Sequence, residues 1–224
     1  MPTRIVFIRH GETAWNRIKR IQGHIDIPLN ETGLEQARQI AVRLASDAQV
    51  GRGLDAIYAS DLMRARQTAE PTVAALRLSL HLQAGLRERA YGAFQGHDSD
   101  EIAAKFPDAY AVWQTRDPGF APEGGESPRV FYHRVLHTVA HIAAGHPQGH
   151  IACVTHGGVL DCVYRWARGL ALDAPRDYPL LNASLNTVEI DEAGCVSIVE
   201  WGDVTHLHGS STDDSLRAAK GSGG

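Results

Sequence analysis

Arg9 and His10 stand side by side immediately after a short apolar run, Arg4 to Ile8, and Gly11 follows at once. A guanidinium, an imidazole and an unhindered backbone in three successive positions can bind an anion and attack it. Three places further along the chain carry matching groups: a second guanidinium at Arg64 in Ser60 to Arg64, a carboxylate at Glu88 between Arg87 and Arg89, and a second imidazole at His156 ahead of Gly157-Gly158. Guanidinium forks match the oxygens of a phosphoryl group, and preformed donors stabilise the charge that spreads over them. A neutral imidazole is a competent nucleophile toward phosphorus, and cations beside it disfavour its protonation, so Arg9 and Arg64 are suited to keep His10 neutral. Cleaving a phosphomonoester also needs a proton for the departing alkoxide and a base for the incoming water; Glu88 can serve in both steps. No metal or other cofactor is required by this chemistry.

These groups act together only if the fold gathers them. Arg4 to Ile8 reads as a buried strand that runs into a tight loop, Ala56 to Ala59 as a second strand, Leu78 to Leu82 as a third and Ile151 to Thr155 as a fourth. Between them, Thr32 and Glu35 form a capping box that opens a helix to about Ala48, and Asp61 caps a helix through about Leu76. A helix is expected near Asp98 to Lys105, and Ser127-Pro128 supplies the cap and first position of another that reaches about Ala144. The segment after His156 predicts a helix ending near Gly169. Ser184 to Ile190 and Val196 to Trp201 alternate around Gly194 and suit an antiparallel hairpin. The expected fold is an α/β three-layer αβα sandwich: a mostly parallel open sheet, covered on both faces by helices, with an antiparallel edge. In such sheets ligands bind beyond the carboxyl ends of the strands, where all four polar groups fall.

Pro107 to Glu126, rich in Pro, Gly and aromatic residues, is expected to be irregular and to act as a lid; Trp113, Arg116 and Phe120 are candidates there for substrate contact or for packing. His133, His137 and His141 share one helical face. Val130, Phe131, Val135, Val139 and Ile142 centre about 130° away, which makes the histidine stripe a solvated face rather than a metal site.

The chain has 224 residues, 43% hydrophobic and 21% charged, enough for one α/β domain; residues 1–209 are expected to form it, and the polar, Gly/Ser-rich stretch 210–224 to be a mobile tail. A formal charge of −4 carries no basic excess for nucleic acid or an anionic membrane, so any anion binding must be local. With no apolar run near 18 residues and the first motif already at residue 9, a soluble cytoplasmic protein without a signal peptide is expected. Cys153, Cys162 and Cys195 lack CxxC spacing and are expected to be reduced.

Arg9-His10-Gly11-Glu12-Thr13 resembles the RHG signature of the histidine phosphatase, or phosphoglycerate mutase-like, superfamily. Asn16 and Arg20-Ile21-Gln22-Gly23 resemble its phosphate-pocket loop, Ser60-Asp61-Leu62-Met63-Arg64-Ala65 its second arginine motif, Leu86-Arg87-Glu88 its acid/base motif, and Thr155-His156-Gly157-Gly158 its second histidine motif. The resemblance implies His10 as a phosphorylated nucleophile and Glu88 as proton donor and acceptor. It implies Arg9, Asn16, Gln22, Arg64 and His156 as the phosphate pocket, with the glycines Gly23 and Gly157 beside it. The short interval from Glu88 to His156, together with Gln22-Gly23 and Glu200 to Leu207, is similar to the broad-specificity phosphatases of the superfamily and lacks the mutase insertion. The expected partner is a small phosphorylated metabolite. A phosphoglycerate mutase and a phospho-ligand binding module without turnover are the alternatives, the second opposed by the presence of every expected catalytic residue.

Overall fold

Alternation along one strand sorts the whole core. In the computed structural model, which describes residues 1–209, β1 (Thr3–Arg9) sends Ile5 and Phe7 to one face of the sheet and Val6 and Ile8 to the other. All four are nearly inaccessible, as a strand covered on both faces requires. The expected tail, 210–224, lies outside the described residues.

Six strands form the sheet in the order β3-β2-β4-β1-β5-β6, with β2 (Ala56–Ala59), β3 (Leu80–Leu82), β4 (His150–Thr155), β5 (Leu185–Ile190) and β6 (Val196–Asp203). β1, β2, β3 and β4 pair in parallel; β5 runs against both β1 and β6, so the hairpin closes one edge as expected. After the short α1 (Ala14–Arg17), α2 (Glu31–Gln49) and α3 (Met63–Leu76) cover the Val6/Ile8 face through Ile40, Leu44, Ala65 and Ala69. α6 (Pro128–Ala144) and α7 (Gly157–Arg168) cover the other through Val135, Val139, Val159 and Val163. α4 (Ser99–Lys105) and α5 (Pro107–Gln114) pack apart from these layers, in a small aromatic cluster of their own around Phe94 and Ile102. Among the described residues, no helix is long and apolar enough to cross a membrane.

Three local expectations are corrected. α2 opens two residues earlier than the Thr32/Glu35 box implies: Asn30 is the cap, accepting from the Gly33 N–H at 2.8 Å, while Glu35 bonds Arg38 and Gln39 on the exposed face. Asp61 does not cap α3. Its carboxylate takes a two-point bond from Arg87 (2.7 and 2.5 Å), which holds it below the usual carboxylate range, and Asp26 accepts the Met63 N–H instead. The segment 107–126 is partly regular. Pro107 starts α5, and Phe106, Tyr110 and Trp113 fall on one helical stripe against Phe94, a spacing of four and three that the aromatic richness had masked.

His133, His137 and His141 are exposed on α6, as expected; Val130, assigned to the buried stripe, is 57% exposed. Cys153 and Cys162 are buried and Cys195 exposed, all as free thiols.

Candidate active site

The carboxyl ends of β1, β2 and β4 and the turn after β3 converge on a pocket of about 260 Å³. Arg9, His10, Asn16, Gln22, Gly23, Arg64, Glu88 and Gly157 all line it. His156 is the one expected site residue outside that lining: it is fully buried beneath, its ring 5.2 Å from that of His10.

His10 ends the strand at 3% exposure, its backbone fixed by an N–H to the Thr155 carbonyl and by Asn182, whose Nδ2 donates to the His10 carbonyl at 3.0 Å. Its Nδ1 lies 2.7 Å from the Gly11 carbonyl. A carbonyl only accepts, so Nδ1 carries the proton and the neutral ring keeps its lone pair on Nε2. Burial, then Arg64, then Arg9 push the His10 pKa well below its ordinary value.

The cations are anchored through the backbone. Arg9 donates to the Leu180 carbonyl and packs against Gly157. Arg64, 1% exposed, uses Nη2 and Nη1 on the carbonyls of Gly23 and Ile25 (2.8 and 3.1 Å) and Nε on His156 Nδ1 (3.2 Å). His156 is thereby neutral as well, donating from Nε2 to Ser60 Oγ at 2.8 Å. In the loop that Arg64 holds, Gly23 has φ +53°, and a Cβ there would meet the Gln95 side chain at 2.1 Å, so only glycine fits. Asn16 closes a reciprocal cap with Thr13, which sets the entry of α1.

Glu88 is fixed at both oxygens: Oε1 accepts from the Arg89 N–H at 2.7 Å and Oε2 from the Gly158 N–H at 2.9 Å. The second bond places a carboxylate on the positive end of α7, a helix whose cap residue, His156, makes no side-chain capping bond. A Cβ at Gly158 would come within 2.1 Å of Glu88 Oε1, so the glycine makes room for the acid. The chemistry such an arrangement supports is attack by a neutral imidazole on an anion held between two guanidinium groups, with a carboxyl group for proton transfer.

Arg20 of the pocket-loop motif also lines the pocket, as do Tyr91, Lys19, Asp161 and Arg176, none of which was expected as a site residue. Arg134 pairs with Glu126 and donates to the carbonyls of Gly85, Arg87 and Glu88, stapling the acid's loop to α6. Of the lid candidates, Trp113 reaches the pocket, Phe120 packs on Phe94 and Arg116 donates to the Ala174 carbonyl. Among the described residues, no group of three or more His, Cys, Asp or Glu side chains is placed to hold a metal ion.

The family model described as histidine phosphatase superfamily (branch 1) matches residues 5–204. A metal-independent phosphoserine phosphatase of Arabidopsis thaliana is 38% identical over 207 residues, 92% of this chain and 83% of its own length. Phosphoglycerate mutase-like protein 4 of the same plant is 37% identical over 205 residues, 91% and 86% of the two chains. Among solved structures, Bacillus stearothermophilus YhfR superposes with a TM-score of 0.82 at 32% identity, covering 91% of this chain and 98% of that one.

Proposed function

The chain belongs to the histidine phosphatase superfamily, branch 1, and from that premise we propose that it hydrolyses small phosphomonoesters through a phosphohistidine formed at His10. The observation that carries this reading is the tautomer of His10: with Nδ1–H committed to the Gly11 carbonyl, the lone pair sits on Nε2 of a ring flanked by Arg9 and Arg64.

In the first step, Nε2 attacks phosphorus, the N–P bond forms and the P–O bond to the alcohol breaks. The electron pair of that bond leaves with the oxygen, which takes its proton from the Glu88 carboxyl group. Arg9 and Arg64 balance the charge on the phosphoryl oxygens as it is transferred. In the second step water attacks phosphorus, gives its proton to the Glu88 carboxylate and returns the electron pair to Nε2, which releases inorganic phosphate. Asn16, Gln22, Gly23 and Gly157 complete the cradle, and His156 holds Arg64 from below. No step calls for a metal or another cofactor.

The test is phosphate release from a panel of phosphorylated metabolites and an aryl phosphate. Turnover of several members supports the reading. Tight phosphate binding without release from any member would favour a binding module.

A further inference from the structure

Two cations in the pocket wall remain once the cradle and the ion pairs are assigned. Arg20 is held by Glu101 through two bonds, 2.8 and 3.1 Å, and Asp161 is held by Arg165 at 2.8 Å and by the Tyr178 hydroxyl at 2.6 Å. Lys19 and Arg176 line the same pocket, and neither side chain makes a hydrogen bond or ion pair with another described residue.

Arg176 is also the residue around which a short segment is pinned. The guanidinium of Arg165, 4% exposed, bonds at all three nitrogens: one to Asp161 and two to the segment, at the carbonyls of Ala171 and Ala174 (the latter 3.0 Å). Arg116 donates to the Ala174 carbonyl as well, at 3.2 Å. On the other side of Arg176, Tyr178 is bonded to Asp161 and stacked on Tyr164 with ring centroids 3.6 Å apart. A buried guanidinium is costly unless fully paired. Here the pairing fixes positions 171 to 178 and leaves Arg176, half-buried, directed at the pocket without a protein anion to meet it.

Arg9 and Arg64 are tied by backbone carbonyls to the cradle beside His10, whereas Arg176 and Lys19 line the same pocket outside that cradle, together with Glu88 and Tyr91. With the phosphoryl group held by Arg9 and Arg64, the part of the substrate left for Arg176 to meet is the alcohol half. Resting on the phosphatase reading above, we propose that Arg176, assisted by Lys19, selects phosphomonoesters whose leaving group carries a carboxylate. A guanidinium fork grips a carboxylate at two points, and a pocket of this size holds a phosphoryl group with a small organic acid behind it.

The experiment compares kcat/KM for phosphoglycolate and for its carboxyl methyl ester, in the unaltered chain and in Arg176→Gln and Arg176→Lys, with p-nitrophenyl phosphate as a third substrate. The ratio of the two phosphoglycolate substrates is the readout. The unaltered chain is expected to favour the free acid by about tenfold or more, Arg176→Gln to bring the ratio close to one mainly through KM, and Arg176→Lys to retain part of it. A ratio near one in the unaltered chain, or one unchanged in Arg176→Gln, would overturn the proposal while p-nitrophenyl phosphate turnover leaves the phosphatase reading standing. Absence of phosphate release from all three substrates would overturn both.

Discussion

Arg64 donates from Nε to Nδ1 of His156 at 3.2 Å, and the ring carries the polarity onward by donating from Nε2 to Ser60 Oγ at 2.8 Å. The relay ties a cation of the phosphate cradle to the end of β2. Ser60→Ala leaves the buried His156 N–H without its acceptor, at a cost of about 1–3 kcal/mol in unfolding free energy, measured by urea denaturation. Loosening of Arg64 should also weaken competitive inhibition by inorganic phosphate, and Ser60→Thr should restore both. Unchanged stability and inhibition in Ser60→Ala would show that the relay does not position Arg64.

Stability should depend on pH through the two buried rings. His10 and His156 have pKa values well below 6.5 in the folded chain, because of burial and the neighbouring arginines. Below 6.5 the unfolded chain therefore binds protons that the folded chain does not, and stability falls with falling pH. Each ring contributes a slope approaching about 1.4 kcal/mol per pH unit. Thermal melts between about pH 7.5 and 5.5 should show this loss, with a shallower dependence in His10→Asn. Identical dependence in the two proteins would contradict a neutral, buried His10.

Glu88→Gln removes the transferable proton but keeps the size of the side chain. Alkyl phosphates should lose about a hundredfold or more in kcat, whereas p-nitrophenyl phosphate, whose leaving group needs little protonation, should lose far less. Equal losses for both would assign Glu88 to binding instead.

The strands and the four site motifs are legible in the sequence because each is local: Ile5/Phe7 and Val6/Ile8 announce a strand buried on both faces, and Ser127-Pro128 carries its own cap. What is not legible was decided across long separations. Asp61 looks like a cap until the fold brings Arg87 to it and Asp26 to the end of α3. Arg134 and Arg176 have no motif around them and acquire roles only from the elements they meet. Phe106, Tyr110 and Trp113 did carry a readable helical spacing, hidden within a stretch whose Pro and Gly suggest a loop.

Hydrolysis and phosphoryl transfer between alcohols both start from phosphorylated His10 and differ in whether water is admitted beside Glu88. The interval between Glu88 and His156 holds a 3₁₀ turn at Gly92–Phe94, α4, α5, α6 and β4, a segment whose short length resembles the phosphatases of the superfamily rather than its mutases. 3-Phosphoglycerate, if accepted, should give free phosphate much faster than 2-phosphoglycerate, without stimulation by 2,3-bisphosphoglycerate. Efficient interconversion that depends on the bisphosphate would make the chain a mutase and leave the role of His10 intact.

The proposed route takes the phosphoryl group through Nε2 of His10. Rapid quench in alkaline detergent of the chain mixed with a ³²P-labelled phosphomonoester, followed by peptide mapping at alkaline pH and acid treatment of a parallel sample, measures this. The expected label is acid-labile and base-stable, located on the peptide containing His10 and absent from His10→Ala, which should also lose nearly all turnover. A label on another residue, or normal turnover by His10→Ala, would contradict it.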